Sequence, residues 1–93
     1  MYAVFVEVDA DESHVDEARK RLPEVAVPGA REMGAQAGYW LAPAGGRGVS
    51  VVVFENEQQA RSLAEGLEVG AQAGPVPGVT FRTVEVREVL AQL

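Results

Sequence analysis

The chain has 93 residues, eight Lys and Arg against fourteen Asp and Glu, a net charge of −6, and no cysteine. A chain of this length forms one domain, here 1–93, and buries roughly 60–65% of its unfolded surface, so the core is thin. The missing cysteines exclude disulfides and thiol catalysis and suit a reducing cytoplasm, the acidic balance without a Lys/Arg cluster suits no nucleic acid, and no apolar run reaches membrane-spanning length.

Ala3–Val8 reads as the first strand, with Tyr2, Val4, Val6 and Val8 in one row and Ala3, Phe5 and Glu7 in the other. The leading MYAVFVEVDADE carries no basic segment of the kind that opens a signal peptide. After the acidic turn Asp9–Glu12, a helix is expected from Ser13 as cap, with Asp16 three residues on and Val15, Ala18 and Leu22 as its buried stripe. Arg19, Lys20 and Arg21 follow Asp16 and Glu17, the charge order a helix dipole favours. Pro23 and Pro28 break that helix, so a kinked or second helical piece is expected to end near Met33–Gly34.

Gln36–Ala42 reads as a short strand centred on Tyr39, Trp40 and Leu41. Pro43–Gly48 holds three glycines and leads into a strand, which marks a hairpin loop; a phosphate loop would lead into a helix. Val49–Phe54 is β-branched or aromatic at every position but Ser50 and apolar on both faces. Asn56 reads as a helix N-cap completed by Gln59, followed by the stripe Ala60, Leu63, Ala64 and Leu67. The last strand spans Val79–Val89, and its apolar row changes sides near Arg82–Thr83, which predicts a bulge there. Gly-Ala-Gln-Ala-Gly occurs at 34–38 and again at 70–74, a coincidence to be expected in an Ala/Gly-rich chain.

The order strand, helix, strand, strand, helix, strand is the α+β, ferredoxin-like βαββαβ arrangement: a four-stranded antiparallel sheet with two helices on one face. Two helices cover one face only, yet the strands are apolar on both. The uncovered face predicts a homodimer through the sheet. Ala3, Phe5, Ser50, Val52 and Phe54 are the row assigned to that contact.

The segments MYAVFVEV, GYWL, GVSVVVFENEQQAR and VEVREV, in that order along the chain, resemble the dimeric α/β-barrel superfamily, and within it the small domains grouped with antibiotic biosynthesis monooxygenases. The resemblance implies homodimers whose sheets face each other with helices outside. It implies either cofactor-independent oxygenation of aromatic metabolites or haem degradation. The haem degraders use an asparagine on the first strand, a tryptophan and a histidine. Here Asn56, the one asparagine, reads as a helix cap, and His14 opens the first helix. The resemblance therefore points to a cofactor-free oxygenase or related isomerase.

Four residues are candidates to line a ligand pocket: Trp40, Tyr39, His14 and Phe54. Trp40 either walls an apolar pocket or fills the core. Tyr39 points to the opposite face of its strand, where its phenol meets a substrate or a partner subunit. His14 is a candidate general base or a solvated first-turn histidine. Glu7, Glu85 and Arg87 read as an interfacial ion pair. No ligand cluster or glycine fingerprint points to a metal, flavin or haem, so no cofactor is expected. Two functions follow from the same fold: an enzyme acting on an apolar aromatic metabolite, or a non-catalytic ligand-binding or interaction module.

Overall fold

A computed structural model describes residues 1–93. Four strands, β1 (Tyr2–Asp9), β2 (Ala37–Ala44), β3 (Arg47–Phe54) and β4 (Thr80–Glu88), form one antiparallel sheet in the order β2-β3-β1-β4. With α1 (Val15–Arg21), α2 (Val27–Glu32) and α3 (Glu57–Glu65), this is the ferredoxin-like βαββαβ fold. The first helical region is one run in three pieces, because a π-turn at Leu22–Ala26 joins α1 to α2. Pro23 cannot donate to a carbonyl of the preceding turn. The chain widens there instead of stopping, and Val27 N–H reaches back five residues to the Leu22 carbonyl. Gly34, at φ +95, then terminates the helical run where the prolines and Met33–Gly34 predicted.

The start of that run differs from the expectation. Asp11, not Ser13, is the cap: its carboxylate accepts from Ser13 N–H at 2.8 Å and from the Ser13 hydroxyl. The residue that closes the capping box is His14, not Asp16. A carboxylate is the stronger acceptor, so Asp11 takes the role and Ser13 becomes a donor to it. A 3-10 turn at Glu12–His14 leads into α1. On α3, Asn56 is the cap as expected, accepting Gln59 N–H at 2.9 Å. The Gln59 side chain packs instead under Gly34, where an added Cβ would meet its Nε2 at 2.5 Å.

Gly45 and Gly46, at φ +61 and +81, make a two-residue turn with Ala44 opposite Arg47. Two successive positive φ values are what the tightest hairpin requires. The connection is therefore shorter than Pro43–Gly48, and β2 runs on to Ala44. The bulge in β4 falls as predicted. Glu7 pairs with Thr83 and Val8 with Phe81, leaving Arg82 as the extra residue. Arg82 reaches Asp9 at 3.2 Å across the same strands.

The helices cover the face that carries Val4, Val6, Val52 and Phe54, which bury against Ala30 of α2 and Ala60 of α3. Leu63, Ala64 and Leu67 extend this layer, as their spacing predicted. The register corrects the assignment of faces. Val4 pairs with Val52 and Phe5 with Val51, so Ala3 and Phe5 share the open face with Val49, Val51 and Val53. Ser50, Val52 and Phe54 point toward the helices. Only the odd row of β1 belongs to the face assigned from sequence; on β3 the two rows are exchanged.

Candidate functional site

An apolar cavity of about 330 Å³ lies between the sheet and the helical layer. Its floor is Val6 and Val8 of β1, Gly48, Ser50 and Val52 of β3, and Trp40 of β2. Its roof is Ala18, the π-turn residues Leu22, Val25 and Ala26, then Gly29, Ala30 and Met33. Leu63, Leu67 and the 73–79 loop close the far end. Ala73 N–H to Val79 O at 2.7 Å closes that loop on itself, and Gly70 N–H to Phe81 O at 2.8 Å ties the residues just before it to β4. Val76 and Val79 are buried within it. Val25, Gly29 and Met33 are exposed and form a rim.

The cavity has a local cause. Ala18, Ala26 and Ala30 on the roof face Gly48 and Ser50 on the floor, so small residues meet small residues. Leucines on the roof would fill the space to the usual interior density, whereas at Gly48 the Val8 side chain already stands 2.9 Å from where a Cβ would go. The π-turn also shifts the helical face by one residue exactly over the cavity, and such turns recur at functional sites.

Nineteen of the 26 lining residues are hydrophobic, and His14 is the one ionisable side chain among them. Its ring is three-quarters buried and fixed from both sides. Nδ1 accepts the Asp11 backbone N–H at 3.1 Å, and the Asp11 carboxylate lies 3.4 Å from the same nitrogen. An added Cβ on Gly78 would stand 3.1 Å from Nε2, so glycine there leaves room for the ring and also supports φ +85. Hydrogen bonds from Ser13 hold the Asp11 carboxyl below the ordinary value of 3.8, with His14 adding to the effect.

Of the four residues singled out from sequence, the fold brings two to the cavity. Trp40 and His14 line it. Trp40 also borders a second hollow of about 210 Å³ beside Arg31, between α2 and β2, and its ring lies over Gly38. Tyr39 is on the opposite face of β2, 65% exposed, because neighbouring strand residues alternate. Phe54 is fully buried in the core away from the cavity. Sequence reasoning missed Ser50 and the alanines of the roof. The signal was present: Ser50 is the one polar residue of its strand segment, and Ala18, Ala26 and Ala30 recur at helical spacing.

The open face of the sheet is the second feature. Ala3, Phe5, Val49, Val51 and Val53 lie beside Tyr39 and Leu41, which are among the most exposed large apolar residues. Arg87 donates to Glu85 at 2.8 Å and places its guanidinium over the Phe5 ring at 4.8 Å. The charged pair expected among Glu7, Glu85 and Arg87 is thus Glu85–Arg87, within one strand. No three His, Asp or Glu side chains converge where a metal ion could be held, and no helix is long and apolar enough to cross a membrane. Compared with protein-family models, curated proteins and solved structures, the chain matches none.

Proposed function

We propose that the chain binds a small apolar aromatic molecule in the cavity beside Trp40 and acts on it as a cofactor-independent monooxygenase or related isomerase, in the manner of the antibiotic biosynthesis monooxygenase-like domains it resembles. The cavity itself carries this reading. Its volume of about 330 Å³ lies within the ordinary range of small-molecule sites, and its lining is apolar with a few polar groups. The space opens to solvent past the exposed Val25, Gly29 and Met33, and a contiguous apolar lining left against water is better satisfied by an apolar occupant.

Oxygenation without a cofactor requires a substrate that itself gives electrons to dioxygen. An electron-rich phenol or hydroquinone with an apolar body meets that need and this lining. The cavity would exclude water from the reactive intermediate.

The reading includes a homodimer. The open face presents a contiguous apolar patch, and a second copy packed on it by two-fold symmetry covers it. A stable contact of this kind buries roughly 1,200–2,000 Å². The absence of cysteine suits work in a reducing cytoplasm.

A non-catalytic binding module is the second reading, favoured by one observation: His14 is the one ionisable side chain that lines the cavity. Mass spectrometry of molecules that co-purify with the protein, followed by incubation under ¹⁸O-labelled dioxygen, separates the two. A bound aromatic that gains ¹⁸O supports the oxygenase, and a bound aromatic released unchanged supports the binding module. Protein that carries and takes up no aromatic molecule contradicts both.

A further inference from the structure

Resting on the reading of the cavity as a ligand site, we infer that Ser50 determines its specificity: the hydroxyl binds a carbonyl or phenolic oxygen carried by an otherwise apolar ring compound. The chain has three serines, Ser13, Ser50 and Ser62. The Ser13 hydroxyl donates to the Asp11 carboxylate, and that of Ser62 to the Gln58 carbonyl at 3.0 Å. The Ser50 hydroxyl alone has no partner in the protein, and Ser50 is the serine that lines the cavity. Its placement follows from the register. Ser50 pairs with Val6 on one side and Trp40 on the other, and all three line the cavity. Side chains of paired residues stand on the same face of a sheet. Because β3 is an inner strand, Ser50 stands in the middle of the floor. The Trp40 indole leans along β2 over Gly38, and Ser50 stays half-buried.

A hydroxyl is costly at this point. Every other residue of Val49–Phe54 is β-branched or aromatic, and valine would suit the strand and the lining better than serine. A hydroxyl facing an apolar space contributes only where something pairs with it. The other hydrogen-bonding side chains of the lining are His14 and Trp40. His14 is engaged at the helix cap through Nδ1, and its Nε2 stands against Gly78, which is outside the lining. Trp40 supplies a broad aromatic wall next to Ser50. Paired Cβ atoms stand about 4.5–5.5 Å apart, so an oxygen bonded to Ser50 places the ring that carries it beside the indole. A ligand entering the cavity displaces water from the floor. With an oxygen it restores the hydroxyl's hydrogen bond, whereas the bare hydrocarbon of the same shape leaves the hydroxyl unpaired. Such an unpaired group is what makes polar sites discriminate against ligands lacking the matching atom.

The test uses 1-tetralone and tetralin, which share a ring skeleton and differ by one ketone oxygen. Binding is read from the fluorescence of Trp40, the single tryptophan, in the cavity wall. Ser50→Ala removes the hydroxyl, adds no bulk and breaks no hydrogen bond within the protein. The expected result is a loss of about five- to tenfold in 1-tetralone affinity for Ser50→Ala, the effect of one net hydrogen bond. Tetralin affinity stays within about twofold on the same scale. Both compounds are compared in the same variant, so a change in folding stability moves both alike. A second readout is the infrared carbonyl band of bound 1-tetralone labelled with ¹³C at the ketone. A hydrogen bond weakens the C=O bond, so the band should lie lower in the wild-type protein than in Ser50→Ala. Equal effects on ketone and hydrocarbon, or a carbonyl band at one frequency in both proteins, overturns the inference and leaves the cavity reading intact. Binding of neither compound to the wild-type protein overturns the cavity reading, and the inference with it.

Discussion

Replacing Ala18 by leucine should stabilise the fold and close the cavity in one step. Ala18 lies on α1, half-buried, with its methyl on the cavity roof. Leucine adds three carbons, each contributing about 0.8 kcal/mol when taken out of water, a ceiling of about 2.4 kcal/mol. Incomplete fit lowers this to about 1–2 kcal/mol. Leucine is nearly as good a helix former as alanine, so the backbone adds little cost. In a domain of 93 residues, that gain raises Tm by about 4–16 °C. Thermal denaturation followed by circular dichroism measures the stability, and Trp40 fluorescence measures the uptake of 1-tetralone by the same protein. The expected outcome is a higher Tm with binding weakened at least about tenfold, since about 1.4 kcal/mol of lost fit suffices for that factor. A destabilised variant that binds as well as the wild type would show that the space above Ser50 is already filled, and would refute the reasoning.

Four further outcomes follow from the register and the caps. Val51→Asp places a charge on the open face and should leave a folded monomer in sedimentation at low micromolar concentration. Val52→Asp, one residue on and buried beneath the helices, strands an unpaired charge at a cost of several kcal/mol and should unfold the chain by circular dichroism. Asn56→Ala removes the cap of α3 and should lower stability by about 1 kcal/mol, seen as a Tm lower by about 4–8 °C. Asp11 has a folded pKa below its ordinary value because Ser13 donates to it, so its cap stabilises above about pH 4 and is lost as pH falls through the lower folded value. Asp11→Asn keeps an acceptor without the charge, and should make the fall in Tm below about pH 4 shallower than in the wild type. Identical slopes would contradict that account.

Much of the fold was legible because local chemistry agreed with the long-range order. The Asn56 cap, the stripe from Ala60 to Leu67 and the bulge at Arg82 each follow from residues within a few positions of one another. The assignment of sheet faces was not legible. Parity says that Val51 and Val52 point to opposite sides but not which side the helices take. The answer depends on Val4 standing opposite Val52, a pairing across the βαβ crossover that no local pattern encodes. The site was half legible for a related reason. Trp40 and His14 announce themselves by type, but a cavity is a property of two walls. Ala18 reads as part of an ordinary helix stripe, and Ala26 and Ala30 carry no signal of their own, until Gly48 and Ser50 are found beneath them. Ser13 was the expected cap by residue type, and Asp11 displaced it because a carboxylate two residues earlier is the better acceptor.

The central claim is that the space between sheet and helices, not the open sheet face, receives the ligand. A ¹H–¹⁵N correlation spectrum recorded during titration with 1-tetralone tests it residue by residue. The account predicts that the Trp40 indole and the amides of Ala18, Ala26, Ser50 and Val76 shift together and saturate, while those of Phe5 and Val53 stay in place. Shifts confined to the open-face residues, or no saturable shift at the cavity, would contradict it.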